Sequence, residues 1–367
     1  MLIDRIEIYH AKTRLNEPFT ISLGTFHYAD NVLVIIKTDE GLTGFGECSP
    51  LMSINGESYD TCMAVGNYLA KGLKGKNPLD IAGCTQIMNS IIYGNASIKS
   101  AFDMALYDIA AQHAGKPLYK FLKGKNRTIV TDYTVSFGEP RKMAADALAI
   151  KEQGYTIIKV KLGGKPAEDI RRIKLVRKQI GNDIPLVIDA NQGWDKDSAP
   201  EVLSILAAYN ILFCEEPIPR WDFMNLPRVQ QQSPIPIMAD ESCGDHHDAE
   251  RLIRLKACQF FNIKLGKSGG IFDALKIIRL AEAAGIKIQL GGFLESRLAF
   301  TAASHLAMVS DSIEFFDFDT AIMHKEDHVR GGISYHENGR IELPDGNGLG
   351  ATVDTKYLKT LDKIVVR

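Results

Sequence analysis

The sequence predicts an α/β fold, a parallel (β/α) barrel with a smaller companion unit, and three observations carry that reading. Short apolar runs alternate with amphipathic stretches from Thr128 to Asp319, while the chain on either side has a different texture. Ionisable residues close successive apolar runs at intervals of one strand–helix unit. A length of 367 residues suits a barrel plus companion, or two domains, better than one minimal domain.

The apolar runs read as eight buried strands over residues 129–135, 156–162, 185–190, 211–216, 235–240, 259–264, 286–291 and 313–319. Between them lie amphipathic stretches such as 143–151, 170–180, 199–208, 249–255, 274–284 and 298–308. An open doubly wound sheet normally brings a Gly-rich phosphate loop after its first strand, and Val135-Ser136-Phe137-Gly138-Glu139 is not one. Ahead of the barrel, residues 1 to about 55 are strand-like, with the β-branched run Val32–Lys37 followed by the turn-rich Thr38-Asp39-Glu40-Gly41. From Ser58 to about Gly124 the pattern is helical, most clearly over Ser97–His113, where Ala101, Ala105, Leu106, Ile109 and Ala110 recur at helical spacing after a Ser cap. Strand and turn return at the end, through Ile333-Ser334-Tyr335 and Gly339–Leu343.

Composition removes several classes of partner. A formal charge of −2 supplies no basic field, so neither nucleic acid nor an anionic membrane is expected. No apolar run reaches the roughly 20 residues of a membrane span. The opening residues Met1–Ile8 alternate like a strand and lack a signal peptide's apolar block. Six scattered cysteines without a CxxC pair suit a reducing compartment, so the expected location is cytoplasmic.

Five successive strands end in an ionisable residue: Lys161 (with Lys159), Asp189, Glu215, Asp240 and Lys264, spaced 28, 26, 25 and 24 residues apart. The eighth ends in Asp317-Phe318-Asp319. Any one of these could be a solvated strand end, but the set, sorted by sign at unit spacing, is hard to read that way. In a closed eight-stranded barrel the second strand faces the sixth, so Lys161 and Lys264 approach the centre from opposite sides. Asp189, Glu215 and Asp240 fill the wall between them. Three carboxylates so close repel unless a hard cation lies among them, and oxygen ligands suit Mg²⁺. Asp317 and Asp319 share a face opposite the metal wall.

That layout suits a zwitterion. The metal holds a carboxylate and stabilises the enediolate formed when the neighbouring α-proton leaves; the Asp pair holds an ammonium; one lysine removes the proton and the other returns it inverted. Lys159 and the metal should lower the pKa of Lys161. Carboxylate and ammonium lie across the barrel from each other, a separation that fits a dipeptide better than a free amino acid.

These residues resemble the enolase superfamily, in its muconate-lactonizing-like subgroup, and the resemblance implies a Lys or His base working with Mg²⁺. The resemblance runs nearly the whole length. Lys159-Val160-Lys161 resembles the family's KxK, with the second lysine as base. Asp189-Ala190-Asn191, Glu215-Glu216-Pro217 and Asp240-Glu241-Ser242 resemble the three ligand strands, and Asn262–Gly270 the sixth-strand base motif. Phe293-Leu294-Glu295-Ser296 is similar to the seventh-strand loop, and Asp317-Phe318-Asp319 to the signature by which dipeptide epimerases hold the substrate ammonium. The resemblance implies a modified (β/α)7β TIM barrel over 126–324, capped by an α+β domain of residues 1–125 completed by 325–367. It implies a substrate-contacting loop at Phe19–Phe26. Many Ala-Glu epimerases carry an arginine there to pair with the glutamate side chain; Gly24 stands near that place in this chain, which argues against Ala-Glu specificity. Apolar flanks (Ile21, Leu23, Phe26) point to small or hydrophobic side chains. Glu216, where relatives often have glutamine, is expected behind the ligands or facing outward.

The expected substrate contacts are thus Lys159, Asp317, Asp319, Thr134 and Gly24, with Lys161 and Lys264 catalytic and Asp189, Glu215 and Asp240 on the metal. Barrels of this kind often associate, so a homo-oligomer is compatible with the reading. Trp194 either lines the mouth or packs in its βα loop, and His246-His247 reads as a solvated loop pair. Competing functions remain. A lyase such as o-succinylbenzoate synthase or muconate cycloisomerase, or an N-acylamino-acid racemase, keeps the site but leaves the Asp pair without an ammonium. A Schiff-base aldolase leaves the carboxylate wall without a purpose, and a binding protein would not need both lysines.

Overall fold

A computed structural model describes residues 1–367. The N-terminal third is a sheet backed by helices. Strands β1 (Ile3–Ile21), β2 (Gly24–Thr38) and β3 (Thr43–Cys48) pair antiparallel, and the last strand of the chain returns to complete the sheet beside β1. Alternation along β1 sends Ile6 and Ile8 to one face and Arg5, Glu7 and Tyr9 to the other. On the first face stand the helices Tyr59–Leu73, Ile81–Ile91 and Ala96–His113. The first of these begins where Ser58 and Thr61 exchange side-chain-to-backbone hydrogen bonds. The third begins at Asn95 with positive φ, two residues earlier than a Ser97 cap would place it; Ser97 lies inside the helix and gives its N–H to Glu57 (3.0 Å).

The barrel has eight parallel strands: β5 (Tyr133–Val135), β6 (Ile158–Lys161), β7 (Leu186–Asp189), β8 (Ile211–Glu215), β9 (Ile237–Ala239), β10 (Phe260–Lys264), β11 (Lys287–Gly291) and β12 (Ile313–Phe316). The helix starts follow local chemistry. Glu139 accepts two N–H groups ahead of Pro140, Asp245 and Asp248 form a capping box, and Ser296 caps Arg297–Leu306. The curled sheet closes through Asp132 N–H to Phe316 O (3.0 Å).

The run expected as one strand over 129–135 is two. Strand β4 (Ile129–Val130) leaves the barrel to pair with a C-terminal strand, and only β5 belongs to the barrel. Likewise β12 stops at Phe316, and Asp317 to Asp319 continue as loop. The tail forms β13 (Val329–Gly331), β14 (Ser334–Tyr335), β15 (Arg340–Glu342), β16 (Ala351–Val353) and finally β17 (Lys363–Val366), which joins β1. His246 and His247 open the helix His246–Leu255 rather than lying in a loop. All six cysteines are buried free thiols, and no helix is long and apolar enough to cross a membrane.

Inside the barrel the side chains form layers, because residues two apart on a strand share a face. The floor is aromatic and apolar. Phe213 packs edge-on to Phe315 at 5.0 Å and tilted against Phe260 at 5.1 Å, with Val187 and Met238 beside them. Two residues further along the same strands stand Glu215, Asp317, Asn262 and Asp189. A dry floor thus supports a charged mouth.

Helix Ala96–His113 lies so close to β3 that a Cβ added at Gly46 would sit 1.9 Å from Ala101 O, and one at Gly44 2.1 Å from Ala105 O. Both obstacles are helix backbone, which cannot swing aside. Gly46→Ala should therefore cost about 2 kcal/mol or more through overpacking. Urea denaturation of the full chain measures it; an unchanged midpoint would show that sheet and helix are not in contact this tightly.

Candidate active site

Register brings the charges to one level. Lys161 lies opposite Asp189 on β7, which lies opposite Glu215 on β8. Asp240 follows β9 directly and Lys264 ends β10. Lys161 reaches Asp189 (2.6 Å) and Lys264 reaches Asp240 (2.7 Å). Lys159, two residues below Lys161, is fully buried beneath the mouth. Its Nζ lies 2.7 Å from Glu215, 2.8 Å from Asp317 and 3.3 Å from Asp189. It is the hub of the carboxylate wall rather than a residue lining the cavity.

The segment after β12 is held from three directions. Asp317 N–H donates to Leu290 O (2.9 Å), Phe318 N–H to the Thr131 hydroxyl (2.8 Å), and the Tyr335 hydroxyl to Phe318 O (2.6 Å). Asp319 then accepts the Thr134 N–H (2.7 Å) through Oδ2, while its buried Oδ1 has no partner. Thr134 accordingly meets the pair through its backbone.

The mouth is short of positive charge. Eight buried carboxyl groups (Asp132, Asp189, Glu215, Glu216, Asp240, Glu241, Asp317, Asp319) share it with four buried lysines (Lys159, Lys161, Lys264, Lys267). Each uncompensated ion buried this way costs several kcal/mol. Burial, with Asp189 adding to it, pushes Glu215 up to about 7. Burial, then Asp240, puts Glu216 at about 7, and burial with Asp317 does the same to Asp319. Asp132 and Glu241 are driven well above the carboxylate range by burial and their acidic neighbours. For Asp240, burial is outweighed by Lys264 and Lys267, which hold it far below that range. Lys264 is held above its ordinary value because Asp240 and Glu215 overcome the effect of burial.

No three His, Cys, Asp or Glu side chains converge on one point here, since each ligand candidate is drawn to a lysine. The donor set nonetheless fits a hard divalent cation. Asp189, Glu215 and Asp240 are oxygen donors on adjacent strands, and both oxygens of buried Glu241 and Oδ1 of buried Asn191 lack any partner.

The space between Lys161 and Lys264 is about 30 Å³, room for one or two water molecules. Asp317 and Thr134 close one end; Phe19, Ile21, Phe26 and Ile54 roof it. The roof is fastened by Ser22 Oγ to Asn191 O (3.0 Å) and by Phe137 N–H to Thr20 O (2.9 Å). A dipeptide-sized molecule enters only if that hairpin lifts. Gly24 sits at the hairpin tip, exposed, with φ of 153° and nothing within 4 Å of an added Cβ. Neither it nor Leu23 lines the space, whereas Ile21 and Phe26 do.

Several expectations take firmer form. Glu216 does not face outward: it is buried with φ of 37° and accepts the Asp240 N–H (2.7 Å), fixing the loop after β9. Trp194 is buried and donates to Asp169 (2.9 Å), which also takes the Gly163 and Gly164 N–H groups behind Lys161. Sequence reasoning missed Lys267, which grips Asp240 through its side chain and carbonyl, and Asn262, which donates to Glu215 (2.8 Å). Asn262 was findable, two residues before Lys264 on one strand face. Lys267 stands inside the Asn262–Gly270 motif, but its reach to Asp240, like the place of Asp132, shows only in the fold.

Known proteins resemble this chain along nearly its whole length. A family model described as "Mandelate racemase / muconate lactonizing enzyme, N-terminal domain" matches residues 4–123, and one described as "Enolase C-terminal domain-like" matches 142–357. The D-Ala-D/L-Ala epimerase of Cytophaga hutchinsonii is 55% identical over 367 residues, covering 100% of both chains. The crystal structure of the dipeptide epimerase from that organism, complexed with Mg and D-Ala-L-Val, superposes with a TM-score of 0.99 over 100% of both chains. The L-Ala-D/L-Glu epimerase of Bacillus subtilis is 39% identical, over 95% of this chain and 96% of that protein. A dipeptide epimerase from Enterococcus faecalis, complexed with Mg and L-Leu-L-Tyr, is 37% identical with a TM-score of 0.93, covering 96% of this chain and 100% of the other.

The charge shortage predicts a pH effect. A carboxyl raised from 4.5 to about 7 on folding holds its proton more tightly in the folded state. Its contribution to stability is complete below the unfolded value and lost as pH rises through the folded one. Chelator-treated protein should thus melt lower at about pH 8 than at about pH 6, and added Mg²⁺ should remove most of that difference. Melting curves that are independent of pH and of Mg²⁺ would contradict the shortage.

Proposed function

The chain belongs to the mandelate racemase/muconate lactonizing enzyme family of the enolase superfamily, and on that footing we propose that it is a Mg²⁺-dependent dipeptide epimerase. It inverts the α-carbon of the C-terminal residue of a small or hydrophobic dipeptide. The observation that carries this reading is the pair of buried lysines, Lys161 and Lys264, on opposite walls of one narrow space. A carboxylate wall stands at one side of that space and Asp317 at its end, with Asp319 buried behind it.

Asp189, Glu215 and Asp240 are the residues that would hold the cation. When bound, it neutralises the substrate carboxylate and lowers the energy of the negative charge that builds up as the α-proton leaves. Everything else falls to the chain itself. Lys161 and Lys264 have to release Asp189 and Asp240 to point at the α-carbon. The one that is neutral takes the proton as a general base. The other, protonated, delivers a proton to the opposite face, and the configuration inverts. After one turnover the two have exchanged protonation states, so either epimer can serve as substrate. Lys159 stays buried among Glu215, Asp317 and Asp189, keeping the ligand wall from flying apart.

The ammonium end rests on Asp317 and Asp319. The unpartnered Oδ1 of Asp319, with Asp317 and Asp132 beside it, is a place for a cation and a poor one for an anion. An N-acylated amino acid carrying a carboxylate there would meet three acids. A lyase substrate without nitrogen would leave them facing nothing. Side-chain preference follows from the roof: Phe19, Ile21 and Phe26 offer apolar surface and no cation to pair with a glutamate. The relative at 55% identity, named for Ala-Ala, is consistent with that choice.

Lys161→Ala and Lys264→Ala should each lower kcat for epimerisation by about 10³ or more. In D₂O, each variant should still be competent to wash the α-proton out of only one epimer, and the two variants should choose opposite epimers. NMR of D-Ala-L-Ala and D-Ala-D-Ala reads both events; near-normal epimerisation in either variant sinks the two-lysine assignment. Asp317→Asn should raise KM for dipeptides about tenfold or more, the size of a lost charge-assisted hydrogen bond. An unchanged KM would remove the ammonium from that wall.

A further inference from the structure

A second concavity, much larger than the one between the lysines, lies between the β17-β1-β2-β3 sheet and the C-terminal tail, with Asp108 and Gln112 of helix Ala96–His113 at its back. Its volume is about 890 Å³. Ile35 and Phe45 line it from the sheet and Val353 and Leu358 from the C-terminal tail, giving apolar patches among polar residues such as Thr43, Gln112 and Thr352. The charged residues are unevenly matched. Strand pairing sets Arg5 opposite Lys37 and Tyr9 opposite Lys363, and Lys359 joins them from the tail. Against these four cations stand two acids, Asp108 at the back wall and, at the floor, Glu7, which Arg5 grips and to which the Tyr9 hydroxyl donates at 2.7 Å. Asp108 at the back wall is already engaged by the N–H groups of Phe45 (3.0 Å) and Leu349 (2.8 Å).

The cations are not exhausted by Glu7. Lys37 comes no nearer to it than 3.6 Å, and Lys363 approaches only the Tyr9 hydroxyl, at 3.5 Å. Arg5 Nε is buried with no hydrogen-bond partner at all. A buried donor left without an acceptor is costly and rare, and here it belongs to a residue that lines a cleft with surplus positive charge.

We infer that this cleft binds a small organic anion with an apolar body, at a site separate from the reaction centre. Its charged group would lie among Arg5, Lys37 and Lys363, and its body on Ile35, Phe45 and Leu358. No barrel-mouth residue takes part, so occupancy and turnover are separable.

The test is a fluorescence titration of the full chain with anilinonaphthalene sulfonate, an aromatic anion that brightens in apolar surroundings. One saturable site is expected, weakened by added salt, displaced by decanoate and not by decanol. Lys37→Gln and Lys363→Gln should each weaken binding about tenfold, the worth of one charge-assisted contact. The double variant Arg5→Gln with Glu7→Gln, which leaves no unpaired buried charge, should do the same, while all variants epimerise dipeptides as the parent does. Equal affinity in parent and variants, many weak sites, or equal displacement by decanol would overturn the inference.

Discussion

The constraint on which everything else depends is the burial of more negative than positive charge at the C-terminal ends of the barrel strands. Folding brings Asp189, Glu215 and Asp240 side by side, and only Lys159, Lys161, Lys264 and Lys267 oppose them and their acidic neighbours. Carboxylates left in this state protonate, as Glu215, Glu216 and Asp319 do near neutrality, or they wait for a cation. A site so short of positive charge suits a hard cation and an ammonium at once, and under the proposed function a bound zwitterion would supply the missing charge at both ends.

The rest of the fold serves that arrangement. The aromatic floor of Phe213, Phe260 and Phe315 keeps water out from below, so each electrostatic contact above it is strengthened. Lys159, Asn262 and Glu216 have no need to touch substrate; they hold Glu215 and the loop after β9 in place. The β1–β2 hairpin closes the top and contributes only apolar surface. It is tied down by single hydrogen bonds such as Ser22 to Asn191, few enough for it to open. On the proposed function, chemistry would belong to the strands and selectivity to the hairpin over them.

Much of this was legible because a barrel writes its active site into spacing. Lys161, Asp189, Glu215, Asp240 and Lys264 each end a strand, so a one-dimensional interval became a three-dimensional ring. The alternation that puts Phe213 below Glu215 and Phe315 below Asp317 is legible for the same reason. What was not legible depends on pairing between distant segments. The break between Val130 and Tyr133 arises because β15 takes β4 as a partner, and the cap sheet needs residues 363–366 beside β1. Local pattern could not show that Lys267, a turn past Lys264, swings back to Asp240, or that Glu216 turns inward through a positive φ. Trp194 gave two equal readings, and only its bond to Asp169 decides for packing.

The most direct measurement of the central claim is calorimetric titration of metal-free protein with Mg²⁺ at about pH 7, in buffers of different ionisation enthalpy. Carboxyls that hold protons near neutrality in place of a cation must give them up when it binds. The account predicts saturable binding with about one proton released per Mg²⁺, fewer as pH rises above 8 or so. Tight binding with no proton release at any pH, or no binding to the folded protein, would contradict it.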